Sequence, residues 1–114
     1  MKKIILIRHA DAVDNHTLDS ERTLSTFGEE QLVLLKENFA ALNLSNELPV
    51  YVSSSLRTQK TLNAIQDVLS IKRIYVENKL YLASKDTLLN KIQSQSHEMT
   101  DIVIIGHNPG LSDL

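Results

Sequence analysis

The stretch Asp101-Ile102-Val103-Ile104-Ile105-Gly106-His107 is the most strand-like run in the chain. A short series of β-branched residues that is closed by a glycine is typical of a strand buried in a parallel sheet. The N-terminal run Lys3-Ile4-Ile5-Leu6-Ile7 has the same character and continues into Arg8-His9. Both predicted strands therefore end beside a histidine.

Segments with helical periodicity lie between the predicted strands. The first runs from Ser25, a candidate N-cap, to Asn43, the second covers Leu56 to Leu69, and the third follows Ser84. Val50 to Val52 and Ile74 to Val76 are predicted to be short strands. The apolar helix stripes are Leu32, Leu35, Phe39 and Leu42, then Leu62, Ile65 and Leu69, and finally Leu88, Leu89 and Ile92.

The alternation of these elements, β-α-β-α-β-α-β, predicts an α/β fold in which helices cover the faces of a mainly parallel sheet. A chain of 114 residues has the length of one domain, which we expect to span residues 1–114. The polar stretch from Asp11 to Thr23 is predicted to be a surface loop close to the end of the first strand.

Composition excludes several classes of protein. A formal net charge of -2 argues against a nucleic-acid-binding protein, and the absence of cysteine rules out disulfides and thiolate chemistry. The apolar run from Ile4 to Ile7 is too short for a signal peptide, and no stretch approaches the ~20 apolar residues of a membrane span. We therefore expect a soluble, cytoplasmic protein without nucleic-acid or membrane partners.

Basic side chains follow the strongest predicted strands. Arg8-His9 follows the first, Ser53-Ser54-Ser55-Leu56-Arg57 the second and Gly106-His107 the last. Ligands of parallel sheets bind outside the carboxyl ends of the strands, and guanidinium and imidazole groups together favour a phosphate-like anion. A lone arginine or histidine is more often a surface or structural residue, and His16 and His97 are assigned to that class. The convergence of the other basic residues indicates an anion site.

Four segments resemble motifs of the histidine phosphatase superfamily and occur in its order. Ile4–Ala12 resembles the opening strand and the Arg-His-Gly motif, in the Arg-His-Ala form familiar from small bacterial phosphohistidine phosphatases of the SixA type. Asp19–Gly28, Ser53–Thr61 and Gly106–Leu111 resemble the later elements of that branch, although Ser55 stands where a proline is usual. The resemblance covers nearly the whole chain and implies a phosphoglycerate mutase-like fold, a three-layer αβα sandwich.

The resemblance also implies the roles of the pocket residues. His9 is the nucleophile that takes the phosphoryl group, and a backbone carbonyl or a nearby side chain is expected to fix its other nitrogen. Arg8, Arg57 and a protonated His107 stabilise the phosphate oxygens. These cationic side chains supply the positive charge, so that no metal and no cofactor are expected.

Arg22 and Asn108 are further substrate-binding candidates. Arg22 lies in the second of the family-like segments, and Asn108 directly follows the second histidine. The alternative for Arg22 is an ion pair within its loop, with Asp19 or Glu21 as the partner.

Cleavage of a phosphate ester also needs an acid that protonates the leaving oxygen. The family often places a carboxylate after the third strand, but Lys79 rather than Glu77 falls at that position here, and Asp11 is another candidate. A phosphohistidine asks for less, because its imidazole leaving group can depart already protonated. A weak or absent acid, and the short segments available for a lid, favour a phosphorylated histidine domain of another protein as the substrate.

Several expectations stay open alternatives. Relatives continue beyond the second histidine motif with a helix and a strand, whereas this chain ends shortly after it. Such a C-terminally shortened domain exposes a sheet edge and apolar surface, which predicts either a homodimer or marginal stability. The predicted function is a phosphohistidine phosphatase in signal transduction. The alternatives are a phosphate- or phosphohistidine-binding regulatory module without turnover, a phosphatase of small phosphate esters, and a flavodoxin-like or receiver-like domain.

Overall fold

A parallel sheet forms the centre of the computed structural model. The structure describes residues 4–14, 18–42, 44, 47–94, 101–108 and 110–114. The strands are β1 (Ile4–Arg8), β2 (Leu48–Ser53), β3 (Ile71–Glu77) and β4 (Ile102–Gly106), in the order β1-β4-β2-β3 across the sheet. Every pairing is parallel. The predicted α/β class is confirmed, and the carboxyl ends of all these strands meet at one edge.

Helices cover both faces of the sheet. They are α1 (Thr26–Ala40), α2 (Leu56–Ile65) and α3 (Lys85–Ser94), with 3-10 turns at Asp19–Glu21, Gln66–Val68 and Asn78–Leu80. One core joins α1 and α2 to one side of the strands and contains Ile7, Phe39, Leu48, Val50, Val52, Leu62, Ile65, Val103 and Ile105. A smaller core under α3 contains Tyr51, Leu80, Ala83, Leu88, Ile102 and Ile104. Neighbouring residues of β4 face opposite cores, which confirms the three-layer arrangement.

Serine side chains fix the starts of the helices. The hydroxyl oxygen of Ser25 accepts a hydrogen bond from the backbone N–H of Gly28, and that of Ser55 accepts one from Thr58. Ser84 caps α3 through the N–H of Thr87. Such caps satisfy backbone donors that have no partner inside the helix. The cap at Ser55 also sets the direction in which α2 leaves the end of β2.

The boundaries of several elements differ from the sequence predictions. Helix α1 ends at Ala40, so Leu42 no longer follows the apolar stripe and is 51% exposed. Helix α2 gives way to a 3-10 turn after Ile65. In α3, Lys91 is buried because it follows Leu88 by three positions and lies on the same helix face. Leu89, directly after Leu88, points away from that face and is 40% exposed. Lys3 and Asn43, at two predicted boundaries, lie outside the described residues.

Strands β2 and β3 are longer than the sequence patterns predict. Strand β2 includes Pro49, which is accommodated at a register shift between Leu48 and Pro49. Strands β1 and β3 form the two edges of the sheet, and β1 exposes Ile4 and Leu6 on the same face that α3 covers further along the sheet. The predicted homodimer stays a prediction. Among the described residues, none of the helices has the length and apolar character needed to cross a bilayer.

The segment after β1 is held against the start of α1. The backbone N–H of Ser25 donates to the carbonyl of Asp11 at 2.9 Å, and a bridge joins Ala12 to Leu24. The approach is so close that a Cβ atom added to Gly28 would lie 2.0 Å from the carbonyl oxygen of Asp11. Glycine at this position therefore allows the helix to support the loop that begins with the first histidine.

Replacement of this glycine tests the close approach. In an ordinary helix interior, Gly→Ala stabilises by ~1 kcal/mol. Here we expect Gly28→Ala to lower the free energy of unfolding by more than about 2 kcal/mol, because the new methyl group overlaps backbone atoms that cannot move independently. Urea unfolding measures the change. Glu30→Ala, an exposed change in the same helix, should stay within about 0.5 kcal/mol, and an equal response of both variants would contradict the prediction.

Candidate active site

Two histidines and one arginine meet at the carboxyl edge of the sheet. Arg8 at the end of β1 pairs with Gly106 at the end of β4, so the next residues, His9 and His107, leave neighbouring strands side by side. The centroids of the two imidazole rings are 5.2 Å apart. Arg57, in the first turn of α2, reaches both rings. The convergence predicted for His9, Arg57 and His107 is thus present in the structure.

The guanidinium of Arg57 is the centre of the cluster. Only 2% of Arg57 is exposed. Its Nε donates to Nε2 of His9 at 3.3 Å, and its Nη2 lies 3.3 Å from Nδ1 of His107. On the other side, Nη1 donates to the carbonyl oxygen of Asp19 at 2.6 Å and Nη2 donates to the Asp19 carboxylate at 3.0 Å. A buried cation with these partners is held in one orientation.

The tautomer of His9 follows from its neighbours. Its Nδ1 lies 2.7 Å from the carbonyl oxygen of Ala10, which can only accept, so Nδ1 carries the proton. Nε2 is left with a lone pair directed into the cluster. Burial lowers the pKa of His9, and the positive charges of Arg57, Arg8 and Arg22 lower it further, against the opposing effect of the Ala10 carbonyl. The expected fixing of one nitrogen by a backbone carbonyl is confirmed.

His107 is held in the opposite tautomer. Arg57 can only donate, so Nδ1 of His107 accepts and Nε2 carries the proton, which it donates to Oγ of Ser53 at 2.8 Å. Burial, followed by the charge of Arg57, lowers the pKa of His107 to about 4. The ring is therefore neutral near pH 7. The buried guanidinium of Arg57 disfavours a second positive charge on His107 here, and the expected protonation of His107 during phosphate binding stays a prediction.

The remaining sequence candidates lie outside this centre. Arg8 is exposed, and its positive charge contributes to the lowered pKa of His9. It lines a cleft of about 270 Å³ beside α1. Arg22 forms the loop ion pair that was its alternative role, with Asp19 at 3.0 Å, although its charge also acts on His9. Asn108 is exposed and its side-chain oxygen accepts from the N–H of Ser112 at 3.0 Å, which gives it a turn-capping role. The cleft is lined by Arg8, His9, Ala10, Asp11, Gln31, Leu32 and Leu35.

Sequence reasoning did not assign Tyr81 to the site, and it included a threonine after Arg57 only through the resemblance of Ser53–Thr61 to the family. The hydroxyl of Tyr81 donates to Oδ2 of Asp19, and the ring of Tyr81 lies edge-on to His107 with centroids 5.4 Å apart. Thr61 accepts from the N–H of Ala10 at 3.0 Å and donates to the carbonyl of Arg57 at 2.8 Å. The four-residue spacing of Thr61 from Arg57 on a predicted helix was a usable signal. Nothing in the sequence pattern placed Tyr81 beside His107.

The carboxylates proposed as acids are engaged elsewhere. Glu77 pairs with Lys91 of α3 and lies 3.7 Å from Lys79. Lys91 in turn lies 4.5 Å from the centroid of the Tyr51 ring, so this ion pair belongs to the layer under α3. Asp11 accepts from the hydroxyl of Ser25 at 2.6 Å. Within the described residues, neither Glu77 nor Asp11 bonds to the arginine and histidine cluster, and no group of His, Asp and Glu side chains is arranged to hold a metal ion.

Comparisons with known proteins agree with this geometry. A family model of the histidine phosphatase superfamily (branch 1) matches residues 4–81. A structure from Agrobacterium tumefaciens named after the phosphohistidine phosphatase SixA superposes with a TM-score of 0.86 at 23% identity, over 98% of this chain and 73% of that one. The protein histidine phosphatase SixA complexed with tungstate gives 0.83 at 24% identity, over 97% of this chain and 72% of that one. No curated protein is significantly similar in sequence.

A structure from Escherichia coli K-12 is also similar, and its name refers to a different substrate. It is named after alpha-ribazole-5'-P phosphatase and superposes with a TM-score of 0.73 at 14% identity, over 98% of this chain and 77% of that one. At these identities the superpositions establish a shared fold. The SixA-like, phosphoglycerate mutase-like architecture implied by the sequence motifs is confirmed.

Because His107 is buried and neutral, the free energy of unfolding should depend on pH. Between its folded pKa of about 4 and its ordinary value of 6.5, only the unfolded chain binds the proton, so stability rises with pH across this window. The full contribution is on the order of 3 kcal/mol. His9 acts in the same direction. We expect urea unfolding to show a loss of stability from pH 7.5 to 5 that is clearly smaller in His107→Gln. An unchanged pH dependence in this variant would contradict a neutral, buried His107.

Proposed function

Since the chain belongs to the histidine phosphatase superfamily (branch 1), we propose that it is a phosphohistidine phosphatase whose nucleophile is His9. The superfamily and the SixA-like fold support a phosphatase, and a phosphorylated histidine of another protein is the substrate proposed within that class. The observation that carries the proposal is the lone pair of His9 Nε2, which the Ala10 carbonyl directs toward Arg57 and His107.

The first step transfers the phosphoryl group to the protein. The lone pair of His9 Nε2 forms a bond to phosphorus while the bond from phosphorus to the substrate imidazole breaks, and the electron pair of that bond stays on the substrate nitrogen. The second nitrogen of the phosphorylated imidazole takes a proton from solvent before the bond breaks, so that a neutral histidine departs. Arg57 stabilises the phosphoryl oxygens from a buried position, where hydrogen bonds to charged groups are strongest.

The second step hydrolyses the intermediate. The oxygen of a water molecule bonds to phosphorus, the bond to His9 breaks, and its electron pair returns to Nε2. The water must lose a proton, and the neutral His107 presents an accepting Nδ1 toward the cluster. The Ser53 hydroxyl, 2.8 Å from Nε2, holds the ring in that orientation. We propose that His107 is the acceptor of this proton, in place of the cationic role expected from the sequence.

The nature of the leaving group selects the substrate class. An alkoxide requires an acid within hydrogen-bond reach, and in the described part of the chain Glu77 and Asp11 are engaged outside the cluster. A histidine leaving group needs no such acid. The site is therefore better suited to phosphoramidates than to phosphate esters. Arg8, exposed beside His9, remains a proposed contact for the phosphate oxygens.

The central prediction concerns phosphate release from a phosphorylated histidine domain. We expect the protein to release phosphate and to carry a transient phosphoryl group on His9. His9→Ala should remove turnover entirely, while His16→Ala, which changes a histidine predicted to have no role, should not affect it. Chromatographic separation of free phosphate follows the reaction. Equal or faster turnover of a small ester such as p-nitrophenyl phosphate would reject the protein-histidine substrate and support an ester phosphatase.

A binding module without turnover gives a different result. It would bind tungstate with an affinity that depends on Arg57, and it would release no phosphate from either substrate. Wild-type protein and His9→Ala would then be indistinguishable in the release assay.

Turnover should not depend on a divalent metal ion. The buried guanidinium of Arg57, with Arg8 and Arg22 near enough to affect His9, supplies the positive charge that a metal would otherwise provide. We expect treatment with a chelator, followed by gel filtration, to leave the rate of phosphate release unchanged. A loss of activity that added Mg²⁺ or Zn²⁺ restores would overturn this part of the proposal.

A further inference from the structure

Asp19 accepts two hydrogen bonds from the side of the Arg57 guanidinium that faces away from the histidines. Its carbonyl oxygen accepts from Nη1 at 2.6 Å and its carboxylate accepts from Nη2 at 3.0 Å. The contacts of the same guanidinium with Nε2 of His9 and Nδ1 of His107 are both 3.3 Å long. The bonds to Asp19 are the shorter ones, and the carboxylate bond is also charge-assisted.

One side of the guanidinium is therefore suited to binding the phosphoryl group, and the other side is suited to anchoring Arg57 to Asp19. Long contacts with neutral nitrogens are weak and are readily exchanged for phosphoryl oxygens, which are stronger acceptors for an arginine. Such oxygens would lie between Arg57 and the two histidines, next to the Nε2 lone pair of His9. The bonds to Asp19 lie on the opposite side, and they can persist while the phosphoryl group is bound.

Asp19 itself is held by two further residues, although its side chain is 44% exposed. Arg22 Nη1 binds Oδ1 at 3.0 Å, and the Tyr81 hydroxyl donates to Oδ2. The Tyr81 ring also contacts His107, and the Arg57 guanidinium lies 5.8 Å from the ring centroid. Tyr81 thus joins the loop after β1 to the turn that follows β3.

The backbone next to Tyr81 is strained. Leu82 has a φ of 49°, in the left-handed region that leucine rarely adopts. Its side chain is 55% exposed, so burial of the leucine does not account for the conformation. Strained residues of this kind persist where the surrounding structure requires them, and they are frequent at functional sites. The turn that presents Tyr81 to Asp19 and His107 fits this description.

We propose that Asp19 is a positioning residue of the active site, fixed by Tyr81, that holds Arg57 with its Nε and Nη2 directed at the phosphoryl group on His9. This inference rests on the proposed function and adds a residue that acts only through Arg57. Asp19 does not serve as the missing acid, because its hydrogen bonds to Tyr81, Arg22 and Arg57 hold the pKa of its carboxyl far below the usual range.

The test uses a pair of variants that remove the same charge from the same 3-10 turn. Asp19→Asn weakens the support of Arg57 and keeps the backbone bond to Nη1. Glu21→Gln changes an exposed carboxylate that makes no side-chain hydrogen bond or ion pair with the residues that the structure describes. For release of phosphate from a phosphohistidine domain, we expect kcat to fall about 10- to 100-fold in Asp19→Asn and by less than about twofold in Glu21→Gln. Equal effects would overturn the inference.

A double-mutant comparison shows whether Asp19 acts through Arg57. In an Arg57→Ala background, Asp19→Asn should cause no further loss of kcat, because the group that it orients is gone. A loss of the same factor in both backgrounds would overturn the inference. If Arg57→Ala does not fold, Tyr81→Phe replaces it in the comparison. We expect Tyr81→Phe to reduce kcat several-fold on its own, with Tyr75→Phe as the matched control.

Tungstate binding separates this inference from the proposed function. If the wild-type protein releases no phosphate, the proposed phosphatase activity fails, and binding of the anion still reports on Arg57. Calorimetry should then show weaker tungstate binding in Asp19→Asn than in Glu21→Gln. Unchanged affinity in Asp19→Asn, in protein that unfolds at the wild-type temperature, would overturn the positioning role whether or not the wild-type protein is active.

Discussion

The site depends on one buried cation. The Arg57 guanidinium, 2% exposed, bonds to a carboxylate and a carbonyl on one side and to two imidazole nitrogens on the other. Because a guanidinium cannot lose its proton in a protein, every neighbour must adapt to a fixed positive charge. The imidazole nitrogens of His9 and His107 that face Arg57 are therefore acceptors, and Arg57 adds to the effect of Tyr81 in lowering the pKa of Asp19.

The two histidines show how the same neighbour produces different chemistry. Both rings are kept neutral by burial and by the charge of Arg57. Their second nitrogens have different partners, however, since the Ala10 carbonyl accepts a hydrogen bond from Nδ1 of His9 and the Ser53 hydroxyl accepts one from Nε2 of His107. One ring thereby presents Nε2 and the other Nδ1 as a free base. A nucleophile and a proton acceptor can arise from two identical side chains in this way.

The sheet brings these groups together because its strand order differs from the chain order. Strand β4 lies between β1 and β2, so residues that are about one hundred positions apart in sequence become neighbours. The cores on the two faces hold that arrangement in place. Gly28 lets α1 press against the loop after β1, and the ion pair of Glu77 with Lys91 anchors α3. The site is thus supported from both layers.

The sequence by itself determined the α/β class, the helix caps and the convergence of His9, Arg57 and His107, because these depend on local periodicity and on where parallel strands end. Helix ends and edge-strand lengths were less predictable, since they depend on burial that only packing defines, as Leu42 and Lys91 illustrate. Only the tertiary structure decided the protonation of His107 and the partners of Asp19. Those properties arise from contacts between segments 38 to 62 positions apart, and no local pattern encodes such contacts.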